Sequence, residues 1–351
     1  MKTILALSII PQVIVIKLLA LAPGFIERYY SNGLYPVISK TYRYVFGWIP
    51  FSVGDVFYTL AGLLILRFLV FNIKYLFRKP LYFIREVLIV ISFTYFMFHL
   101  FWGLNYYRPS IHETLGMGND YTTEELVEFT EKLISRTNTL QLQLTGNDSL
   151  MVKVPYSRKE IYRMSSSGYA GIAKHTPGFS YTPESIKSSL FSLPLTYMGY
   201  SGYLNPFTNE AQVNSLQVDY RYPMITCHEE AHQIGYSAEN EANFIGFLAA
   251  TANKDPYFQY SGNAYMLRYC LNEVYRRAPD TFERLKGQMH KGILKNYAEV
   301  AAFWDRYENI AEPVFKNTFN AYLKANSQAG GIKTYSYVVA LLVNYHKKNG
   351  I

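Results

Sequence analysis

The chain has 351 residues, half of them hydrophobic and 17% charged, with a formal net charge of +8 and a pI near 9.1. That length suits one large or two ordinary domains, and the charged fraction falls below the roughly 25% of a typical soluble domain. No basic helix or Lys/Arg block forms a nucleic-acid footprint, so nucleic acid is not an expected partner. The two cysteines, Cys227 and Cys270, make neither a disulfide framework nor a CxxC motif, and read as small buried hydrophobes.

The apolar residues concentrate in positions 1–104. The first run, residues 3–22, is long enough to cross a bilayer core, which takes about 20 residues. Its basic start and "ALA" also resemble a signal peptide, but the run exceeds the usual core of about 7–15 residues, which favours a retained helix. Further spans are predicted at about 53–71, with Asp55 and Arg67 near its ends, and at about 87–104, with no formal charge. Lys74, Arg78, Lys79 and Arg85 crowd the linker between them, so it should be cytoplasmic. The 23–52 stretch carries only Arg28, Lys40 and Arg43, is rich in Tyr and Trp, and reads as an interfacial loop. The N-terminus then starts inside, and residues 105–351 form an extracytoplasmic domain. His99 lies inside the third span, where a hydrogen bond within the bundle is the plain account.

The outer domain reads as mostly helical. Residues 121–144 start with Thr122 or Thr123 as cap and acids in the first turn. Helices are also predicted over 157–175, 182–193 with Pro183 near its start, 267–277, 280–290, 296–325 and 334–347. Residues 194–224 break the pattern with Gly, Pro, Asn and alternating apolar residues. They read as a small sheet or a loop, and an extended edge there would hold a peptide by backbone pairing.

"HEEAHQIGYSAENEANF" (228–244) carries the chemistry. On a helix His228 and His232 are one turn apart and face the same way, so they can share a zinc ion while Glu229 serves as the base. A catalytic zinc usually takes three protein ligands. The HxxGxxH solution fails, because Ala238 stands where the third His would be. Gly235 can end the first helix and Ser237 can cap a second. Glu241 then shares a face with Phe244, Ile245 and Leu248, which should be buried, and a buried carboxylate needs a partner. Glu241 is therefore preferred to Glu239 as third ligand. Asn243 is either a support for the ligands or an ordinary helix polar residue. Tyr200, Tyr203, Tyr265 and His290 are candidate oxyanion stabilisers, with nothing in the sequence to choose among them.

HExxH followed by a glutamate on the next helix resembles the gluzincin metallopeptidases, and "ENEANFIGFLAA" resembles the third-ligand segment of ImmA/IrrE-type metallopeptidases. Across "WIPFSVGDVFY", "FWGLNYYRP", "NPFTNEAQVN" and "CHEEAHQIGYSAENEANF" the chain is similar to a bacterial family of membrane-anchored HExxH proteins catalogued as a domain of unknown function. Asn209 departs from the "PFTGEAQVN" pattern of that family. The resemblance implies a mainly α protein, with three transmembrane helices followed by a gluzincin-like metallopeptidase domain with a small β element before the HExxH helix. The family supplies no substrate. The residues themselves give the expectation of zinc and of a peptide or protein substrate, an envelope component among them, hydrolysed by a metal-activated water outside the bacterial cytoplasmic membrane. The alternative is a non-catalytic zinc-containing module that binds envelope components. A transporter is disfavoured because the spans carry few charges.

Overall fold

The computed structural model describes residues 1–326 and 337–350. It is mainly helical, with one small sheet. Three segments are long and apolar enough to cross a bilayer: Lys2–Leu19, Val53–Arg78 and Pro80–Phe101. The first divides at Ser8 into α1 (Lys2–Leu7) and α2 (Ile9–Leu19), with Pro11 in the first turn of α2, where its missing N–H costs least. The other two, α5 (Val53–Arg78) and α6 (Pro80–Phe101), continue through the expected basic linker and leave Lys79 alone between them. The linker prediction fails because long basic side chains lie along a helix without ending it, and Pro80 suits a first helical position. Lys2 pairs with Glu86 at 3.4 Å and Ser8 meets Ser92 at 2.7 Å. The first span therefore runs parallel to α6, its start beside the α5–α6 turn.

Residues 23–52 are mostly helical and not a loop. They form α3 (Pro23–Phe25), a π-helical stretch Ile26–Leu34, and α4 (Tyr35–Phe46), which insert into the later domain. Tyr35 is fully buried and its hydroxyl donates to the Gln233 carbonyl at 2.8 Å. Arg43 is buried over the Tyr181 ring at 5.2 Å. Of the aromatics that suggested a membrane interface, Tyr30 and Tyr35 find polar partners within the protein, at Leu100 O and Gln233 O, while Tyr29, Tyr44 and Trp48 stay exposed. A boundary at residue 104 thus cuts through one packed body.

The start of α5 is locked to that body. Ser52 caps it, accepting from Asp55 N at 2.9 Å. Asp55, expected in a cheap interfacial position, is fully buried and accepts from Ser189 Oγ, Leu190 N and the Tyr203 hydroxyl. Glu210 accepts from Val53 N, Gly54 N and Thr208 Oγ1, and forms a buried ion pair with Lys187.

After α7 (Ile111–Thr114), α8 (Thr123–Thr145) and α9 (Arg158–Ile172) both begin with capping boxes, Thr122 with Glu125 and Ser157 with Glu160. The helix expected over 182–193 is absent. Residues Ile186–Ser188 form β1, and only Ser192–Tyr197 is helical, as α10. The sheet supplies the reason: β1 pairs in parallel with β3 (Glu210–Val213), Ile186 opposite Ala211, and that pairing overrides local propensity. β2 (Gly202–Asn205) pairs antiparallel with β3, Tyr203 opposite Gln212, and is an edge strand in the order β1-β3-β2. The expected β element is present. Asn209, at φ 50°, makes its turn with a residue type that tolerates the left-handed region, and its amide is tied to Ser39 and Tyr35.

The remaining helices are α11 (Tyr222–Gln233), α12 (Glu239–Ala252), α13 (Pro256–Arg277), α14 (Pro279–Gly287), α15 (Lys291–Asp305), α16 (Glu312–Ala325) and α17 (Val338–Asn349). α13 starts well before the predicted 267, with Asp255 as cap. The predicted 296–325 helix breaks between Asp305 and Glu312, and positions 334–336 of the last predicted helix lie outside the described residues. α12 is the centre of the core, buried from Glu241 through Ala250 and packed on α9, α11, α13 and α17. Both free cysteines are buried in this core.

Candidate metal centre

The HExxH residues sit in the last two turns of α11, with Pro223 in its first turn. As expected, Gly235 terminates it, at φ 101°, where only glycine is comfortable. The exposed carbonyls of a helix end need donors, and here they come from the N-terminal third of the chain. Trp102 Nε1 donates to His232 O at 3.3 Å, Tyr35 and Ser39 donate to Gln233 O, and Arg108 donates to Gly235 O. The C-terminal cap of α6 therefore touches the helix that carries both histidines.

His228 and His232 project together, with ring centroids 4.8 Å apart. Between them lies Glu239, not Glu241. His228 Nε2 is 3.3 Å and His232 Nε2 3.7 Å from the Glu239 carboxylate. One ligand atom from each of the three residues lies within 4.8 Å of the others. Ligand atoms about 2.0–2.1 Å from a tetrahedral ion stand roughly 3.4 Å apart, so this donor set fits a metal such as zinc. His232 Nδ1 donates to Tyr236 O at 2.7 Å, which leaves Nε2 as its donor toward an ion.

The preference for Glu241 is corrected on two grounds. Ser237 does not cap α12. Ala238 occupies the cap position, so Glu239 is the first helical residue, where the helix dipole favours a carboxylate. Glu241 is buried as expected, but its partner is a backbone amide: Ile111 N donates to Oε1 at 2.7 Å. Helix facing does not separate the two glutamates, because α12 is enclosed on all sides from Glu241 to Ala250. Gly246 brings the two helices together, since a Cβ there would stand 2.9 Å from His228 N.

Burial works against charge on Glu239, but the His232 and His228 imidazoles outweigh it and hold that carboxyl well below the usual range. Burial lowers His232 less than Glu239 and Glu229 raise it, to about 9. Burial pushes Glu229 up to about 8. Glu229 Oε2 is buried without a hydrogen-bond partner among the described residues. Gly202 of β2 leaves room for this carboxylate, since a Cβ there would overlap Glu229 Oε1 and lie 2.6 Å from Gln212 O.

All three ligand candidates and Glu229 open into one cavity of about 1210 Å³. Of the expected oxyanion stabilisers, Tyr200, Tyr203 and Tyr265 line it and His290 does not. His290 caps α15 and bonds Gln141. The Tyr203 hydroxyl is committed to Asp55, Tyr200 donates to Phe315 O at 3.3 Å, and Tyr265 lies beneath the Arg221 guanidinium at 4.8 Å. Asn243 is buried against His228. Sequence reasoning missed Trp102, Gly202 and Tyr322 as neighbours of the site. Each comes from an element remote from HExxH, so no local spacing signals it.

The fold and site thus define a mainly helical protein with three helices long and apolar enough to cross a bilayer and a His–His–Glu cluster at metal-binding spacing. The chain belongs to the family described as "Protein of unknown function (DUF3810)", whose model matches residues 30–343. No curated protein and no solved structure matches it.

Proposed function

We propose that the protein is a membrane-anchored zinc peptidase acting outside the cytoplasm. The carrying observation is the convergence of His228, His232 and Glu239 on one point, with Glu229 and the free edge of β2 in the same cavity. Three protein donors rather than four favour a catalytic site over a structural one. Zinc held there supplies Lewis acidity toward the scissile carbonyl and lowers the pKa of a water to about 7.

The chain's own groups do the rest. Glu229 takes the proton of the attacking water and passes it to the leaving amine. Asn214 N bonds Ser201 O at 2.9 Å, so by antiparallel alternation Tyr203 and Asn205 face β3, while Gly202 and Leu204 turn their N–H and C=O to the open edge. An extended substrate pairs there, beside Glu229. The Lys and Arg residues around the α5–α6 turn support a cytoplasmic side for Lys79 and the N-terminus. The test uses zinc content and cleavage of a peptide library. Glu229→Gln should keep zinc and lose cleavage, and His232→Ala should lose both. Wild-type protein that neither carries nor takes up zinc sinks the reading.

A further inference from the structure

The cavity does not stop at the metal site. Its wall continues down α6 along Val90, Ile91, Thr94, Tyr95, Phe98 and Trp102, positions that share one helical stripe. From Val90 to Trp102 a helix rises about 18 Å, more than half of a bilayer core about 30 Å thick. Val90 and Ile91 are 55% and 48% exposed, so the lower groove is open sideways. At its upper end Trp102 lies against the His232 ring, with centroids 6.3 Å apart. One continuous surface therefore joins the mid-depth of the apolar helices to the His–His–Glu cluster.

A polar group interrupts this wall. His99 also lines the cavity and is only 5% exposed. Its Nδ1 lies 3.0 Å from Tyr95 O, an atom that can only accept, so Nδ1 carries the proton and Nε2 is an acceptor. Nε2 has no hydrogen-bond partner among the described residues. An unmet acceptor in an apolar wall is costly and matches a ligand that brings one N–H to that depth.

We infer that the groove along α6 seats the alkyl chain of an N-acylated peptide, with the linking amide N–H donated to His99 Nε2 and the peptide passing up to the β2 edge. This rests on the peptidase reading and names its substrate class. A transmembrane helix fits less well. Its amides are already bonded within the helix, leaving His99 unmet. A single alkyl chain is about 4–5 Å across and leaves the upper cavity for the peptide.

The test is binding to the full-length Glu229→Gln protein in nanodiscs, so that no turnover is needed. The probes are a dye-labelled N-palmitoyl decapeptide of Ala, Gly and Leu, and the same peptide N-acetylated. The palmitoyl peptide should bind at least tenfold more tightly than to empty nanodiscs. Adding Thr94→Trp, which fills the groove, should weaken it at least tenfold, and adding His99→Phe several-fold. Thr94→Trp should leave acetyl-peptide binding unchanged, and neither variant should change zinc content, which also shows that the variants fold. Equal binding of the palmitoyl peptide with and without Thr94→Trp overturns the inference. So does stronger competition by an unacylated single-span transmembrane peptide than by unlabelled palmitoyl peptide. Groove-dependent binding without any hydrolysis by the wild type would sink the peptidase reading and leave the acyl groove standing. Equal cleavage of both peptides would do the reverse.

Discussion

Glu239 and Glu241 are two residues apart, both acidic and both within the first turn of α12, yet exchanging each for glutamine should give opposite results. Glu239 stands 3.3 and 3.7 Å from the two imidazole nitrogens, and its carboxylate is the one anionic donor of the cluster. Groups that merely support metal ligands are worth about 10–100-fold in affinity. Removing a charged ligand should cost at least 100-fold, about 2.7 kcal/mol. Glu241 faces the Ile111 amide, and an amide oxygen can keep that bond. Burial pushes its pKa from 4.5 up to about 7, against the Ile111 N–H and the Arg108 charge. The folded state therefore binds this proton more tightly than the unfolded chain, and its stability falls as pH rises from about 4.5 to 7. At pH 8 the ionised side chain costs the fold about 3 kcal/mol, which Glu241→Gln removes. The expected outcome is that Glu239→Gln loses zinc in competition with a chelator. Glu241→Gln should keep one zinc per chain and melt no lower than wild type at pH 8, with less advantage at pH 5. Retention of zinc by Glu239→Gln together with its loss from a folded Glu241→Gln would refute the assignment.

Gly202→Ala should keep zinc but lower peptide cleavage by about 100-fold, since a displacement near 1 Å at a reacting group costs that much and the new methyl occupies the place of Glu229 Oε1. Steady-state kinetics beside metal analysis checks it. Glu210→Ala leaves the Lys187 ammonium buried with only Phe46 O as partner and strips the first amides of α5. Unfolding should show a loss of about 3–5 kcal/mol. For topology, both native thiols are buried, so single cysteines report cleanly. A membrane-impermeant maleimide added to intact cells should label Asp148→Cys, an exposed position of the α8–α9 connection, and spare Lys79→Cys until the cells are opened. The reverse pattern would invert the proposed orientation.

The legible parts of this fold were those fixed by neighbours in the chain. The start of α8 is legible because its cap, Thr122 or Thr123, and the acids of its first turn lie within a few residues, and the structure closes a capping box from Thr122 and Glu125. Gly235 announces the end of α11 because its φ is a property of that one position. The 182–193 stretch reads as helix and becomes β1, because its pairing partner Ala211 lies far along the chain. Tyr35 reads as one more interfacial aromatic until the carbonyl of Gln233 at the end of α11 is seen to take its hydroxyl and that of Ser39.

The same division runs through the site. Sequence alone determined that two imidazoles and a carboxylate share one turn of α11, because helical period fixes the relative direction of residues four apart, and it located the three apolar runs, because bilayer thickness sets a length. Tertiary structure decided which glutamate joins the histidines, because the choice turns on where α12 begins and on what already occupies Glu241. It also decided that the cavity descends along α6, since the contact between Trp102 and His232 joins residues remote in sequence that only packing brings together.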